Sequence, residues 1–374
     1  MNDSFRLPVR SDLEGVHSYG APQLDVPARL NVNENPFSVP DDLARAMGEA
    51  VAEAARDLNR YPERDAVVLR AELAAYLARE SQADVAVDRI WAANGSNEVM
   101  HHVFLAFGGP GRRAIAFDPT YSMYPEYARD TFTEYLTFPR LPDFTIDVDA
   151  AVAAIREHRP SLVLIASPNN PTGTAITLDD LRLILETARA HEAIVVVDEA
   201  YAEFRREGVA SACVLLPDYP NLIVSRTMSK AFALAGARLG YAAVSDPRIV
   251  DVLQVVRLPY HLSTVTQAVA ITALRHFDIL QAQVGLLRRE RDALAQWLTD
   301  SGFVVAPSDA NFILFGLFED RDRVWQGLLD HGVLIRQTGP VEWLRVSIGT
   351  PEENAMFRQA LTAVTGMSPD GRDQ

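Results

Sequence analysis

Short apolar runs without polar alternation recur along the first two-thirds of this chain, and they limit its possible folds more than any other feature. They lie at 90–93, 114–117, 162–166, 194–197, 222–225 and 241–244. A strand with one wet face alternates polar and apolar residues, whereas a strand covered on both faces does not. Two Ala-rich stretches with helical spacing, 42–58 and 65–80, precede the runs, and helical periodicity separates several of them. Strands and helices alternating in this way predict an α/β fold with a mostly parallel central sheet flanked by helices.

The pattern changes near residue 260. Long helices over 263–276 and 278–300 are followed by short strands at 303–305, 311–315, 333–336 and 343–347, and then by a closing helix at 352–364. A chain of 374 residues exceeds what one core encloses. We expect a Pro-rich extended arm over 1–40, a large domain over 41–258 and a smaller α+β domain over 259–374. Thr177 followed by Asp180 resembles a capping box ahead of an apolar helix.

Composition narrows the function. A net charge of −15 repels nucleic-acid backbones and anionic lipid surfaces, so neither is an expected partner. It leaves room for a small anionic substrate, which needs only local arginines. With one cysteine, Cys213, no intrachain disulfide or cysteine metal cluster can form, and a reducing cytoplasm is expected. No signal-like start and no run of roughly 18 apolar residues is present.

Chemistry-bearing residues gather where the runs end. Lys230 follows one strand in Ser-Arg-Thr-Met-Ser-Lys-Ala-Phe, residues 225–232, a turn that also offers the hydroxyls of Thr227 and Ser229. Ligands of open α/β sheets sit beyond the carboxyl ends of the strands. Asp198 closes another run, in Val-Val-Val-Asp-Glu-Ala-Tyr. A carboxylate there needs a cationic partner, and a protonated pyridine nitrogen would serve. Tyr201 stands three residues further on. In Ser-Pro-Asn-Asn-Pro-Thr-Gly, residues 167–173, the prolines fix a turn that presents Asn170. Gly95 opens a helix whose first amides, at Ser96 and Asn97, can cradle a phosphate. Arg238 can grip that phosphate with a guanidinium fork, and Tyr121 can stack on a ring. Taken singly, each has a plainer reading: a solvated lysine, a helix cap, a packed tyrosine, a turn asparagine.

Their order along the chain resembles that of fold type I pyridoxal 5′-phosphate (PLP) enzymes. The chain is similar to the histidinol-phosphate aminotransferase family, among the class-II PLP-dependent aminotransferases, and most to its actinobacterial branch. Further segments carry the likeness: Tyr-Gly-Ala-Pro-Gln (19–23), Leu-Asn-Val-Asn-Glu-Asn-Pro (30–36), Asn-Arg-Tyr-Pro (59–62), Phe-Gly-Gly-Pro-Gly-Arg (107–112) and Arg-Leu-Pro-Tyr-His-Leu-Ser (257–263).

The resemblance implies that Lys230 forms the Schiff base, that Asp198 pairs with the pyridine nitrogen, and that Tyr201 and Asn170 contact the phenolate oxygen. Ser96, Asn97, Thr227, Ser229 and Arg238 would hold the phosphate end, and Tyr121 would stack on the ring. Tyr61 would reach the cofactor of a neighbouring subunit, which implies a homodimer, with the arm packed between the small domain and that partner. Arg345 would bind the substrate's anionic group, with Tyr19, Asn35 and Arg336 near it. Tyr124 stands where relatives often carry histidine, while His101, His102 and His261 read as structural. The implied reaction passes an amino group between a small amino donor and a 2-oxo acid. An aromatic or broad-specificity aminotransferase and a threonine-phosphate-type decarboxylase stay open as alternatives.

Overall fold

The computed structural model describes residues 7–18 and 20–367. Its central sheet has seven strands in the order Ile90–Ala93, Gly240–Val244, Leu222–Thr227, Ile194–Asp198, Leu162–Ala166, Arg113–Asp118 and Glu134–Pro139. Gly240–Val244 is antiparallel to both of its neighbours, and the other pairings are parallel.

Every residue of the inner strands Leu162–Ala166 and Leu222–Thr227 is buried, which is why their sequences lack alternation. The period of two persists beneath that uniformity. Val163, Ile165, Val195, Val197 and Val224 face one core, while Leu162, Leu164, Val196 and Ile223 face the other. Each such side chain contributes roughly 2 kcal/mol of burial.

Two elements of the large part differ from the expectation. Glu134–Pro139 is an edge strand with a mostly wet surface, where Glu134 pairs with Arg113 at 2.8 Å, so it lacks an apolar run. Tyr124–Asp130 is a short helix with proline in its first turn. The Thr177 cap is half of what was expected. Thr177 accepts from the Asp180 N–H at 3.1 Å, but its hydroxyl donates back to the Asp180 carboxylate instead of leaving that group to the backbone. The reciprocal box occurs at Thr350 and Glu353, opening the helix Pro351–Thr365.

The later part of the chain forms a three-stranded antiparallel sheet, Trp343–Ser347, Phe312–Gly316 and Val304–Val305. The long helix Phe277–Asp300 and the helices Arg321–Asp330 and Pro351–Thr365 accompany it. Helix Thr264–Arg275 packs instead on Asp41–Ala54 and Val67–Glu80 of the first part. The arm is tied down: Ala28–Arg29 pairs in parallel with Val333–Leu334, and the Ser347 N–H donates to the Leu30 carbonyl at 2.9 Å. These contacts draw residues 31–34 across the carboxyl edge of the large sheet.

Candidate active site

Parallel strands deliver their following loops to one edge, and five of these loops, with the arm, enclose a cavity of about 290 Å³. Of the residues singled out from sequence, Lys230, Asp198, Tyr201 and Asn170 line it, as do Ser96, Asn97, Tyr121 and Thr227. Ser229, Arg238, Arg336 and Arg345 complete the set.

Lys230 is the one lysine in 374 residues; every other basic side chain is arginine or histidine. Its Nζ donates to the Val32 carbonyl of the arm at 2.9 Å. Burial and the guanidinium groups of Arg345 and Arg238 push the amine down to about 8. Near pH 8 a large fraction is thus neutral and nucleophilic.

Asp198 ends its strand 6% exposed. Oδ2 accepts from the Tyr124 hydroxyl at 3.2 Å, and the buried Oδ1 has no hydrogen-bond partner. Burial pushes this carboxyl up to about 6. Behind it lies a buried ionic cluster. Arg226, fully buried, reaches Glu199 at 2.8 Å, Glu80 at 3.0 Å and Glu203 at 3.4 Å, and Arg205 reaches Glu80 at 2.9 Å. Glu199 also accepts from the Ala212 N–H at 2.6 Å, so the segment after Asp198 is held from several directions.

The anion cradle is built on close backbone approach. Gly95, at φ +84°, caps helix Ser96–Phe107, and a Cβ there would meet the Arg238 guanidinium at 2.6 Å. A Cβ on Gly240 would lie 2.1 Å from the Ser96 nitrogen. Only glycine lets the sheet and the helix start come this close. Arg238 Nη1 donates to the Ser229 hydroxyl at 3.4 Å, and the Thr227 hydroxyl accepts from the Ser229 N–H at 3.1 Å. Tyr121 donates to Asn97 Oδ1 at 3.2 Å and meets Tyr124 edge-on at 5.6 Å.

At the opposite end, Arg345 is 5% exposed. It donates to Asn170 Oδ1 and, at 2.8 Å, to the Asn31 carbonyl, with its guanidinium 5.1 Å from the Phe312 ring. Asn170 thereby spends its oxygen on Arg345 and keeps its NH2 as a donor. Arg336 is bridged to Arg345 across two backbone hydrogen bonds of 3.0 Å.

Two sequence candidates stand elsewhere. Asn35 does not line the cavity: its oxygen caps the Phe37 N–H at 3.0 Å, and its NH2 points to Ala231 and Gln283, both at 3.4 Å. The arm turns at Asn33, so Asn31 and Asn33 face the cavity and Asn35 faces away. Tyr61 is 79% exposed and stacks on Tyr260 at 4.5 Å, outside the cavity of its own chain. Tyr19 lies outside the described residues. Sequence reasoning missed Asn31, Val32 and Asn33; their motif was noticed, but nothing local distinguishes which of its asparagines turns inward. The His102 and His261 rings pack with Trp91, and His261 Nε2 meets the Ala92 carbonyl at 2.9 Å.

These groups fit PLP. Asp198 Oδ1 is a buried acceptor in need of a cationic donor, and a protonated pyridine nitrogen is one. Lys230 offers the amine for the aldehyde, and the Gly95–Ser96 turn with Arg238 and Ser229 suits a phosphate. Among the described residues no helix is long and apolar enough to cross a membrane, and no group of three or more His, Cys, Asp or Glu is placed to hold a metal.

Comparison with known proteins agrees. The chain is 60% identical over 360 residues to a histidinol-phosphate aminotransferase of Thermobifida fusca, covering 96% of each. It is 56% identical over 361 residues to histidinol-phosphate aminotransferase 3 of Burkholderia lata, again covering 96% of each. Its fold matches that of the Sinorhizobium meliloti histidinol-phosphate aminotransferase solved with pyridoxal 5′-phosphate, at TM-score 0.82 and 24% identity, over 96% of this chain and 98% of that one. The Clostridium acetobutylicum histidinol-phosphate aminotransferase has TM-score 0.80 at 22% identity, over 90% and 98%. Residues 27–361 match the family model for aminotransferase class I and II, whose members are PLP-dependent. With that match spanning both sheets and every described residue of the cavity from Asn31 to Arg345, the chain belongs to the class I and II aminotransferases.

Proposed function

We propose that this enzyme is a histidinol-phosphate:2-oxoglutarate aminotransferase, which interconverts histidinol phosphate and 2-oxoglutarate with imidazole-acetol phosphate and glutamate. The observation that carries the reading beyond amino transfer is the Arg336–Arg345 pair. Residues directly opposite across antiparallel backbone project to the same side, and both of these line the cavity. Two guanidinium groups suit a dianionic phosphate, and the same forks accept the carboxylates of glutamate. The relatives named for this activity support it.

When bound, PLP supplies an electron sink that allows the substrate's Cα–H bond to break. Asp198 would keep the pyridine nitrogen protonated through its unpaired Oδ1. Tyr201 and the Asn170 NH2 would donate to the ring oxygen. Ser96, Asn97, Ser229 and Arg238 would hold the phosphate, and Tyr121 would cover the ring face. Arg345 and Arg336 seat the substrate's anion so that its Cα faces Lys230. The Lys230 Nζ, pushed toward neutrality by burial, takes the Cα proton. Tyr61 completes the site of a partner copy, from a face where exposed apolar residues gather.

The substrate test compares kcat/KM for histidinol phosphate and phenylalanine, each with 2-oxoglutarate. We expect a preference of about 100-fold or more for histidinol phosphate, the scale of an anion pair left unmade. Comparable values would assign the enzyme to the aromatic aminotransferases, and release of carbon dioxide without consumption of 2-oxoglutarate would make it a decarboxylase.

A further inference from the structure

The arm residue Asn33 is 2% exposed and adopts φ +57°, a left-handed conformation that asparagine tolerates better than most residues. Four hydrogen bonds surround it. The Asn33 N–H donates to the Ser347 hydroxyl at 2.9 Å, and that hydroxyl donates back to Asn33 Oδ1 at 2.8 Å. The Asn33 carbonyl accepts from Asn311 Nδ2 at 3.0 Å. Its own Nδ2 donates to the Tyr201 phenol oxygen at 3.0 Å.

The directions of these bonds set a line. Ser347 has one hydroxyl proton and spends it on Asn33 Oδ1, so the amide NH2 faces Tyr201. A phenol oxygen that accepts from Asn33 has its single O–H proton to give elsewhere. The Tyr201 ring is fixed as well: Phe312 meets it edge-on at 5.0 Å and 86°. Tyr201 lines the cavity that Lys230 and Asp198 share, and Lys230 Nζ lies 6.0 Å from its ring centre.

We propose that Asn33 is a positioning residue: it holds the Tyr201 phenol as a hydrogen-bond donor into the cavity, and it is itself oriented by Ser347 of the three-stranded sheet. The proposal deepens the cofactor reading of this cavity and rests on it. One hydrogen-bonded line thus runs from the later sheet, through the arm, to the group that faces the cofactor's ring oxygen. Seating of the arm and the state of the cofactor become coupled, although Asn33 makes no covalent contribution.

The test uses the enzyme loaded with PLP and follows its visible absorbance against pH. A donor on the ring oxygen stabilises that oxygen's negative charge. Without it, the oxygen holds more tightly the proton it shares with the Lys230 nitrogen, and the titration midpoint rises. Asn33→Gly keeps the left-handed backbone and removes the amide; its midpoint is expected to rise by about one pH unit, the scale of one hydrogen bond. Ser347→Ala should move it in the same direction by less, and serves if the glycine variant does not fold. In a Tyr201→Phe background, Asn33→Gly should add nothing further, because both act through one donor. If the wild type titrates normally and both Asn33→Gly and Ser347→Ala keep its midpoint, the positioning role is overturned while the cofactor reading stands. A shift of full size in the Tyr201→Phe background would also overturn it. A wild type that takes up no PLP would remove the cofactor reading and this inference together.

Discussion

Asp198 is buried with one oxygen on Tyr124 and the other without a partner, and burial raises its carboxyl from 3.8 to about 6. The sign of the consequence follows. Between about pH 4 and 6 the folded chain binds protons that the unfolded chain has lost, so stability falls as pH rises through that window and stays lower above it. The shift corresponds to about 3 kcal/mol as an upper bound. Asn cannot ionise, so in the cofactor-free protein Asp198→Asn should gain on wild type by up to about 3 kcal/mol between pH 4 and 7. Denaturant unfolding at several pH values measures this. The same variant should bind PLP about tenfold or more weakly, since an ionic hydrogen bond to the pyridine nitrogen is lost. A stability difference that does not change across the window would contradict the account of Asp198. The trade is the usual one at a functional site, where a residue that costs stability is retained for the ligand it meets.

At the scale of elements, the helix ending Val256 and the segment after it join the loop before Val67–Glu80. Arg257 donates to the Arg64 carbonyl at 2.7 Å and to Asp65 at 3.0 Å, and Tyr260 stacks on Tyr61. This joined region exposes Tyr61 at 79%, Val255 at 82%, Leu258 at 76%, Val68 at 57% and Val67 at 52%. Exposed apolar residues of this kind suit an interface, and our proposal requires a second copy of the chain as its occupant. Leu258→Glu should shift a dimer toward monomer in analytical ultracentrifugation and lower PLP retention with it. A wild type that sediments as monomer at tens of micromolar would rule out the shared site. The inner strands were legible in the sequence because burial on both faces suppresses alternation, as in Leu162–Ala166. The edge strand Glu134–Pro139 was not, because solvent on its outer side permits Glu and Thr. The cavity's core, Lys230, Asp198, Asn170 and the Gly95 turn, was legible because each stands at a strand end within a local motif. Asn33 was not: its partner Ser347 is 314 residues away, and no local pattern carries such a contact.

The whole molecule places two sheets so that a primary amine, a buried acid and an anion cradle share one cavity, with the arm laid across it. The arm's carbonyls meet both key cations, Val32 on Lys230 and Asn31 on Arg345. That convergence of distant segments, more than any single motif, suits the cavity to an aldehyde cofactor bearing a phosphate. The composition offers an unusually clean test, since Lys230 is the only side-chain primary amine in the chain. Incubation with PLP, reduction with borohydride, digestion and mass spectrometry locate the amine that bonds the aldehyde. We predict one phosphopyridoxyl group per chain, on the peptide containing Lys230, and none there after Lys230→Ala. An unmodified Lys230, with label confined to the α-amino terminus, would contradict the assignment of this cavity as the cofactor site.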